Sequence, residues 1–168
     1  MLPRISDRLP VPPATLKYLG YNISNKAMIS PYEIVSKSAL PALRAMVARR
    51  LQSDYHMTQQ QVAKALGITQ ASVSNYTRRT RGMMVNFESD PTVTTAADSI
   101  ARELSRKEPD QREAMKFMTG VLDYVRFNHM MCSLHSDLEP GFQVEGCDAC
   151  DGALFGKGFD RLKILASS

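Results

Sequence analysis

Apolar residues along this chain recur at helical spacing far more often than they alternate. Ser30-Pro31-Tyr32-Glu33 reads as a helix start, with Ser30 as cap, Pro31 at the first helical position and Glu33 completing a capping box. Pro41 is expected to break or kink the helix beyond that start. Leu40, Leu43, Met46, Val47 and Leu51 then share one helical face and predict a first core helix ending near Tyr55. Thr58 and Gln61 form a second capping box. Val62, Ala63 and Leu66 make the stripe of a short helix that Gly67 stops, with Ile68 as a buried plug. Thr69 caps another short helix in which Val73 and Tyr76 point inward. A helix from about Thr92 to Arg106 would bury Val93, Ala97, Ile100 and Leu104. Asp110 and Glu113 open the longest helix, with Ala114, Phe117, Met118, Val121, Leu122 and Val125 on one face. Gly120 inside that helix costs roughly 1 kcal/mol against Ala, which implies a close helix contact there.

The pattern predicts a mainly α fold in four parts. Residues 1–29 form an N-terminal arm, irregular except for a short strand at "TLKYLGYNI". Residues 30–82 form the first helical domain. Residues 83–128 form a linker (83–91) and a helical dimerisation region. Residues 129–168 form a small lobe and tail. The arm either packs on the body or, through Arg4, Arg8 and Lys17, touches a nucleic-acid backbone.

Composition narrows this. The 168 residues are 43% hydrophobic and 23% charged, as in a soluble globular protein. No run has the length of a signal peptide or a membrane span, so a cytoplasmic, nucleoid-associated protein is expected. Three cysteines cannot all pair within one chain, which favours reduced thiols. Net charge is only +4, but it is unevenly spread. From Pro41 to Gly82, seven basic residues (Arg44, Arg49, Arg50, Lys64, Arg78, Arg79, Arg81) face one acid, Asp54, a balance of +6. From Cys132 to Gly152, five acids face no base, a balance of −5. The first region would attract phosphate and the second repel it.

The stretch "TQQQVAKALGITQASVSNYTRRTRG", Thr58 to Gly82, resembles the helix-turn-helix of phage-repressor-like (Cro-type) regulators. Ala63 is small where two helices cross, Gly67 makes the turn, and Ile68 and Val73 fill the wedge. In that motif the second helix enters the major groove. Thr69, Gln70, Ala71, Ser72, Ser74 and Asn75 would then face the bases, where Gln and Asn pair with adenine and Ala meets a thymine methyl. The resemblance implies contact roles for Gln59 and Gln70. Arg78, Arg79 and Arg81 would lie beside phosphates. With "CSLH…GCDAC", the match extends to a group of archaeal regulators that join this motif to a C-terminal Cys/His segment. It covers roughly residues 31–82 and 100–152. Members often carry a further Cys-x-x-Cys upstream, where this chain reads "LDYVRFNHMM".

That segment holds Cys132-x2-His135 and Cys147-x2-Cys150, two pairs at ligand spacing with 11 residues between them. Pro140-Gly141 turns the chain back, and Gly146 and Gly152 bracket the second pair. A Cys3His set fits structural zinc; an iron–sulfur cluster is the alternative. His129 is a substitute ligand for His135, and His56 has no partner in sequence. Four protein ligands leave zinc no open position, and no catalytic motif occurs, so no enzyme and no small-molecule substrate are expected. The expected function is a homodimeric regulator that binds double-stranded DNA at specific sequences. The dimer surface is expected on the Asp110–Phe127 helix, with the tail as a second candidate. Two alternatives stay open: an iron–sulfur redox or iron sensor that still binds DNA, and a metal-stapled protein-interaction module that does not.

Overall fold

A computed structural model describes residues 28–139 and 141–150. The expected strand, the basic residues of the arm and the apolar tail lie outside the described residues. Those described are helical, with no strand among them: α1 (Pro31–Ile34), a π-helical stretch (Val35–Ala39), α2 (Leu40–Ser53), α3 (Gln59–Leu66), α4 (Gln70–Thr77), α5 (Pro91–Leu104), α6 (Gln111–Phe127) and α7 (Cys132–Leu138). No helix among them is long and apolar enough to cross a membrane. The chain divides into two compact units. One is Tyr32–Tyr124; the other combines Met1–Pro31 with Val125–Ser168.

Of the break or kink expected at Pro41, the break does not occur, but the helix is locally distorted there. Proline has no N–H to donate, and its ring crowds the carbonyl four residues back. The helix widens just before it instead. The Leu40 N–H donates to the Val35 carbonyl, five residues earlier, and the α-helix resumes through Pro41.

Within the Tyr32–Tyr124 unit, α2 is the centre, with α3, α4 and α5 packed against it. Leu43, Val47 and Leu51 are wholly buried, and Met46 nearly so. Leu40 is only half-buried. From α5 come Val93, Ala97, Ile100 and Leu104, all as expected from spacing. Asp90 caps that helix, its Oδ1 accepting the Val93 N–H at 2.9 Å, while its Oδ2 accepts the Tyr124 hydroxyl at 3.3 Å. One aspartate therefore starts α5 and anchors α6.

Residues 83–91, read as a linker, are mostly exposed, but the segment is anchored to the body at three points. Val85 and Phe87 are buried, and Glu88 pairs with Arg49 at 2.7 Å and Arg50 at 3.7 Å. Arg50 also pairs with Asp98. The basic balance counted from sequence is therefore partly neutralised by these pairs. Gly82 begins the segment at φ +76°. A Cβ there would lie 2.7 Å from the Pro41 carbonyl oxygen and 2.8 Å from the Ala45 Cβ.

On α6, Ala114, Val121 and Val125 are buried. Phe117, expected on the same face, is 38% exposed, and none of the described residues lies within 4 Å of a Cβ placed on Gly120. Among the described residues the close contact expected at that glycine is not made.

These glycines make a comparative prediction. Gly67 also has positive φ, +63°, but open space around its Cβ position. Gly67→Ala should cost about 1 kcal/mol from backbone strain alone. Gly82→Ala adds a clash with backbone, so its melting temperature should fall further, by several degrees more on the usual scale of about 2–8 °C per kcal/mol. Equal melting temperatures for the two variants would contradict the packing described.

Candidate nucleic-acid interface and cysteine segment

Helices α3 and α4 are each started by a threonine. Thr58 Oγ1 accepts the Gln61 N–H at 3.3 Å, and Gln61 Oε1 accepts the Thr58 N–H at 2.8 Å, completing the expected box. Thr69 Oγ1 accepts the Ser72 N–H at 3.1 Å. Between the helices, Gly67 takes the left-handed conformation, and the Ile68 N–H reaches back to the Ala63 carbonyl at 3.0 Å. Ile68 itself is half-buried rather than the sealed plug expected, as is Leu66. The wedge is closed by Val62, Ala63, Val73 and Tyr76, all buried. Val73 and Tyr76 turn one side of α4 inward, and the Thr77 hydroxyl donates to Gln52 Oε1 of α2 at 2.6 Å.

That orientation leaves the other side of α4 open. Thr69, Gln70 and Ala71 are exposed, and Ser72, Ser74 and Asn75 are half-exposed. Gln59 and Gln70 hold the same place, the first residue of their helices directly after a threonine cap. Gln59 is half-exposed. At the exit of α4, Arg78, Arg79 and Arg81 are all exposed. The Arg81 guanidinium lies 5.9 Å from the centre of the Tyr76 ring, within cation–π reach. Apart from Gln59 at the start of α3, these sequence-expected residues therefore share one short helix, its cap and its exit.

Arg79 carries a feature that spacing did not reveal. Its φ is +56°, in the region that favours glycine. The Arg79 N–H donates to the Tyr76 carbonyl at 3.2 Å and the Thr80 N–H to the Asn75 carbonyl at 3.0 Å. This is the same reversal that Gly67 makes at the end of α3, but with a side chain present. A non-glycine residue there costs about 1–2 kcal/mol.

The cysteine segment is arranged differently. His129 ends α6 with φ +54°, and the Met130 N–H donates to the Val125 carbonyl at 3.0 Å. Helix α7 puts Cys132 and His135 three residues apart, on one face. Cys132 Sγ lies 3.5 Å from His129 Nδ1. The His135 ring is 6% exposed, stacked on Phe142 with centroids 4.0 Å apart. Its Nε2 lies 3.3 Å from Glu139 Oε2, which also accepts the Ile29 N–H at 2.9 Å. Cys147 and Cys150 are half-buried in turns after Gly146, whose φ is +71°. Among the described residues no three Cys, His, Asp or Glu side chains gather as a metal site would require. The expected ligands thus fall into two groups, one on α7 and one in the turns. Their donor types do fit zinc. The Glu139 contact also holds His135 as a carboxylate holds a ligating histidine, leaving Nδ1 as the ring's other nitrogen.

The chain matches no family model, no curated protein sequence and no solved structure.

Relief of the strained cap is measurable. Arg79→Gly should raise the melting temperature by a few degrees, corresponding to about 1 kcal/mol, whereas Arg79→Ala keeps the positive φ and should not. A fall in both variants would mean that Arg79 stabilises the fold through its side chain.

Proposed function

We propose that this protein is a sequence-specific double-stranded DNA-binding transcriptional regulator of the cytoplasm, acting as a homodimer, with zinc held by Cys132, His135, Cys147 and Cys150. The observation that carries the reading is the two-sided character of α4. Val73 and Tyr76 fix it to the body, and a polar first turn is presented to solvent.

Helix α4 enters the major groove by its N-terminal turn. Gln70 pairs with a base edge, and Ala71 meets an apolar group beside it. Gln59 binds a neighbouring phosphate from the start of α3. Arg78, Arg79 and Arg81 follow the backbone at the far end, and carry affinity without sequence information. The backbone of both glutamines is fixed because each follows a capped helix start. One helix reads few base pairs, so two copies over half-sites about 34–36 Å apart supply the rest. The acidic 132–152 stretch is repelled by DNA and stays off it.

Zinc would supply a structural cross-link and no reaction. Cys132 and His135 would hold it from α7, with Glu139 steadying the imidazole, and Cys147 and Cys150 would complete the set. None of these residues is assigned a catalytic role. An iron–sulfur cluster would give colour and visible absorbance in protein purified without air; zinc would give neither.

Titration against duplex DNA at rising salt tests the reading. Log affinity should fall linearly with log salt, by about 0.9 per phosphate contact. Arg79→Ala should weaken all sequences alike and reduce the slope by about 2 in a dimer, one unit per copy. Gln70→Ala should instead narrow the gap between preferred and random duplexes, by about 1–3 kcal/mol per half-site. Salt-independent binding, or no binding, would sink the proposal.

Metal content tests the second part. Cys147→Ser should lower bound metal per chain in elemental analysis and melt at a lower temperature than the wild-type holoprotein. Unchanged metal and an unchanged melt would remove Cys147 from the site.

A further inference from the structure

Glu139, at the end of α7, joins two groups that lie far apart in sequence. Its Oε2 lies 3.3 Å from His135 Nε2, one helical turn back, and accepts the Ile29 N–H at 2.9 Å, 110 positions earlier. Both contacts fall within the unit that combines Met1–Pro31 with Val125–Ser168. Ile29 is 9% exposed and stands two residues before Pro31, where α1 begins. No helix has started there, so its N–H has no carbonyl of a preceding turn to meet. A carboxylate from the far end of the chain takes that place, and a buried N–H deprived of its acceptor is costly.

The His135 imidazole decides how firmly that carboxylate is held. A neutral ring carries one N–H, on either nitrogen, and an ionised carboxylate only accepts. With the proton on Nε2, the ring donates to Glu139 and Nδ1 keeps its lone pair. With the proton on Nδ1, two lone pairs face each other across 3.3 Å and the carboxylate is pushed away. The ring is buried and stacked on Phe142 at 4.0 Å, so it has little room to turn out of this choice. An ion on Nδ1 removes the choice. A coordinated nitrogen carries no proton, so Nε2 must be the donor, and the carboxylate oxygen stays where Ile29 needs it.

We propose that Glu139 couples metal at the cysteine segment to the chain at Ile29. An occupied site fixes the tautomer of His135, the tautomer fixes the Glu139 carboxylate, and the carboxylate holds the backbone N–H at the entry to α1. Loss of the metal loosens that hold. The state of the site is thereby registered at the residue through which the chain reaches α1 and the Tyr32–Tyr124 unit. Glu139 is a positioning residue in this device. Its link works equally in reverse, since a contact that metal strengthens must strengthen metal binding by the same factor. The coupling rests on the zinc site of the proposed function and on no part of its DNA reading.

Hydrogen exchange of single amides in the full chain, followed by NMR with and without zinc, tests it. In the wild type zinc should slow exchange at Ile29 by about tenfold or more, within the usual size of such couplings. The Val93 N–H is the control. It too is held by a carboxylate, Asp90 Oδ1 at 2.9 Å, but in the other unit, and its exchange should ignore zinc. Glu139→Gln keeps the shape of the side chain and loses its charge. The variant should still bind zinc, about 10–100-fold more weakly in a chelator competition. At saturating zinc its Phe142 N–H, which donates to the backbone carbonyl of residue 139, should keep its protection. Ile29 in the same sample should exchange as fast as in the zinc-free wild type. A merely structural Glu139 would give an Ile29 rate that the variant changes and zinc does not. Zinc that binds the wild type without slowing Ile29 overturns the coupling and leaves the zinc site standing, as does equal slowing of Ile29 in Glu139→Gln. A chain that binds no zinc removes the site itself, and the coupling with it.

Discussion

The Tyr32–Tyr124 unit depends on the near-complete burial of one helix. Between Ala42 and Leu51, α2 has little solvated surface: Ala42, Leu43, Ala45, Met46, Val47, Ala48 and Leu51 are all buried. A helix that is apolar on several sides must be surrounded to be stable. Helices α3, α4 and α5 do this, and the 83–90 segment covers what remains. This enclosure has two effects. Arg49 and Arg50, at the end of so enclosed a helix, need acids nearby, and Glu88 and Asp98 provide them. And α4, pinned on α2 by Val73 and Tyr76, cannot also turn its Gln70 side inward. The open polar face is a result of how the core is filled.

How legible this was depended on whether a feature is local. The caps at Thr58 and Thr69 and the turn at Gly67 depend on a few adjacent residues, and each forms as spacing predicts. The α5 stripe was equally plain, because four residues at helical spacing leave one solution. Pro41 was legible as a site of disturbance but not in its form: a single widened turn absorbs the penalty without a break, and nothing in the local sequence announces that turn. Within residues 83–91 the burial of Val85 and Phe87 and the pairing of Glu88 with Arg49 were not legible, because the partners lie far away in sequence and no local period marks them.

The ligand spacing around Cys132 shows the limit of reading chemistry from intervals. Two-residue gaps bring each pair to one side of its own element, but they do not bring the pairs together. That step depends on the acidic stretch between them, which has no apolar run to drive collapse. The sequence also could not distinguish His129 from His135 by environment. In the fold His129 is a helix end beside Cys132, while His135 is buried between Phe142 and Glu139. A histidine oriented by a carboxylate and shielded from water is the better-prepared ligand. That is the physical ground for keeping His135 in the proposed set.

Positions that lower the protomer's own stability are informative where the rest is well satisfied. Arg79 keeps a positive φ at which glycine would cost less, and its charge lies at the exit of α4. Gly82, by contrast, is fully explained by a backbone contact inside the fold. The distinction separates a residue that serves packing from one whose cost has no return among the described residues. Arg79 belongs to the second class, and it stands on the surface that the proposed function gives to a phosphate backbone, which needs a cation held at a fixed place.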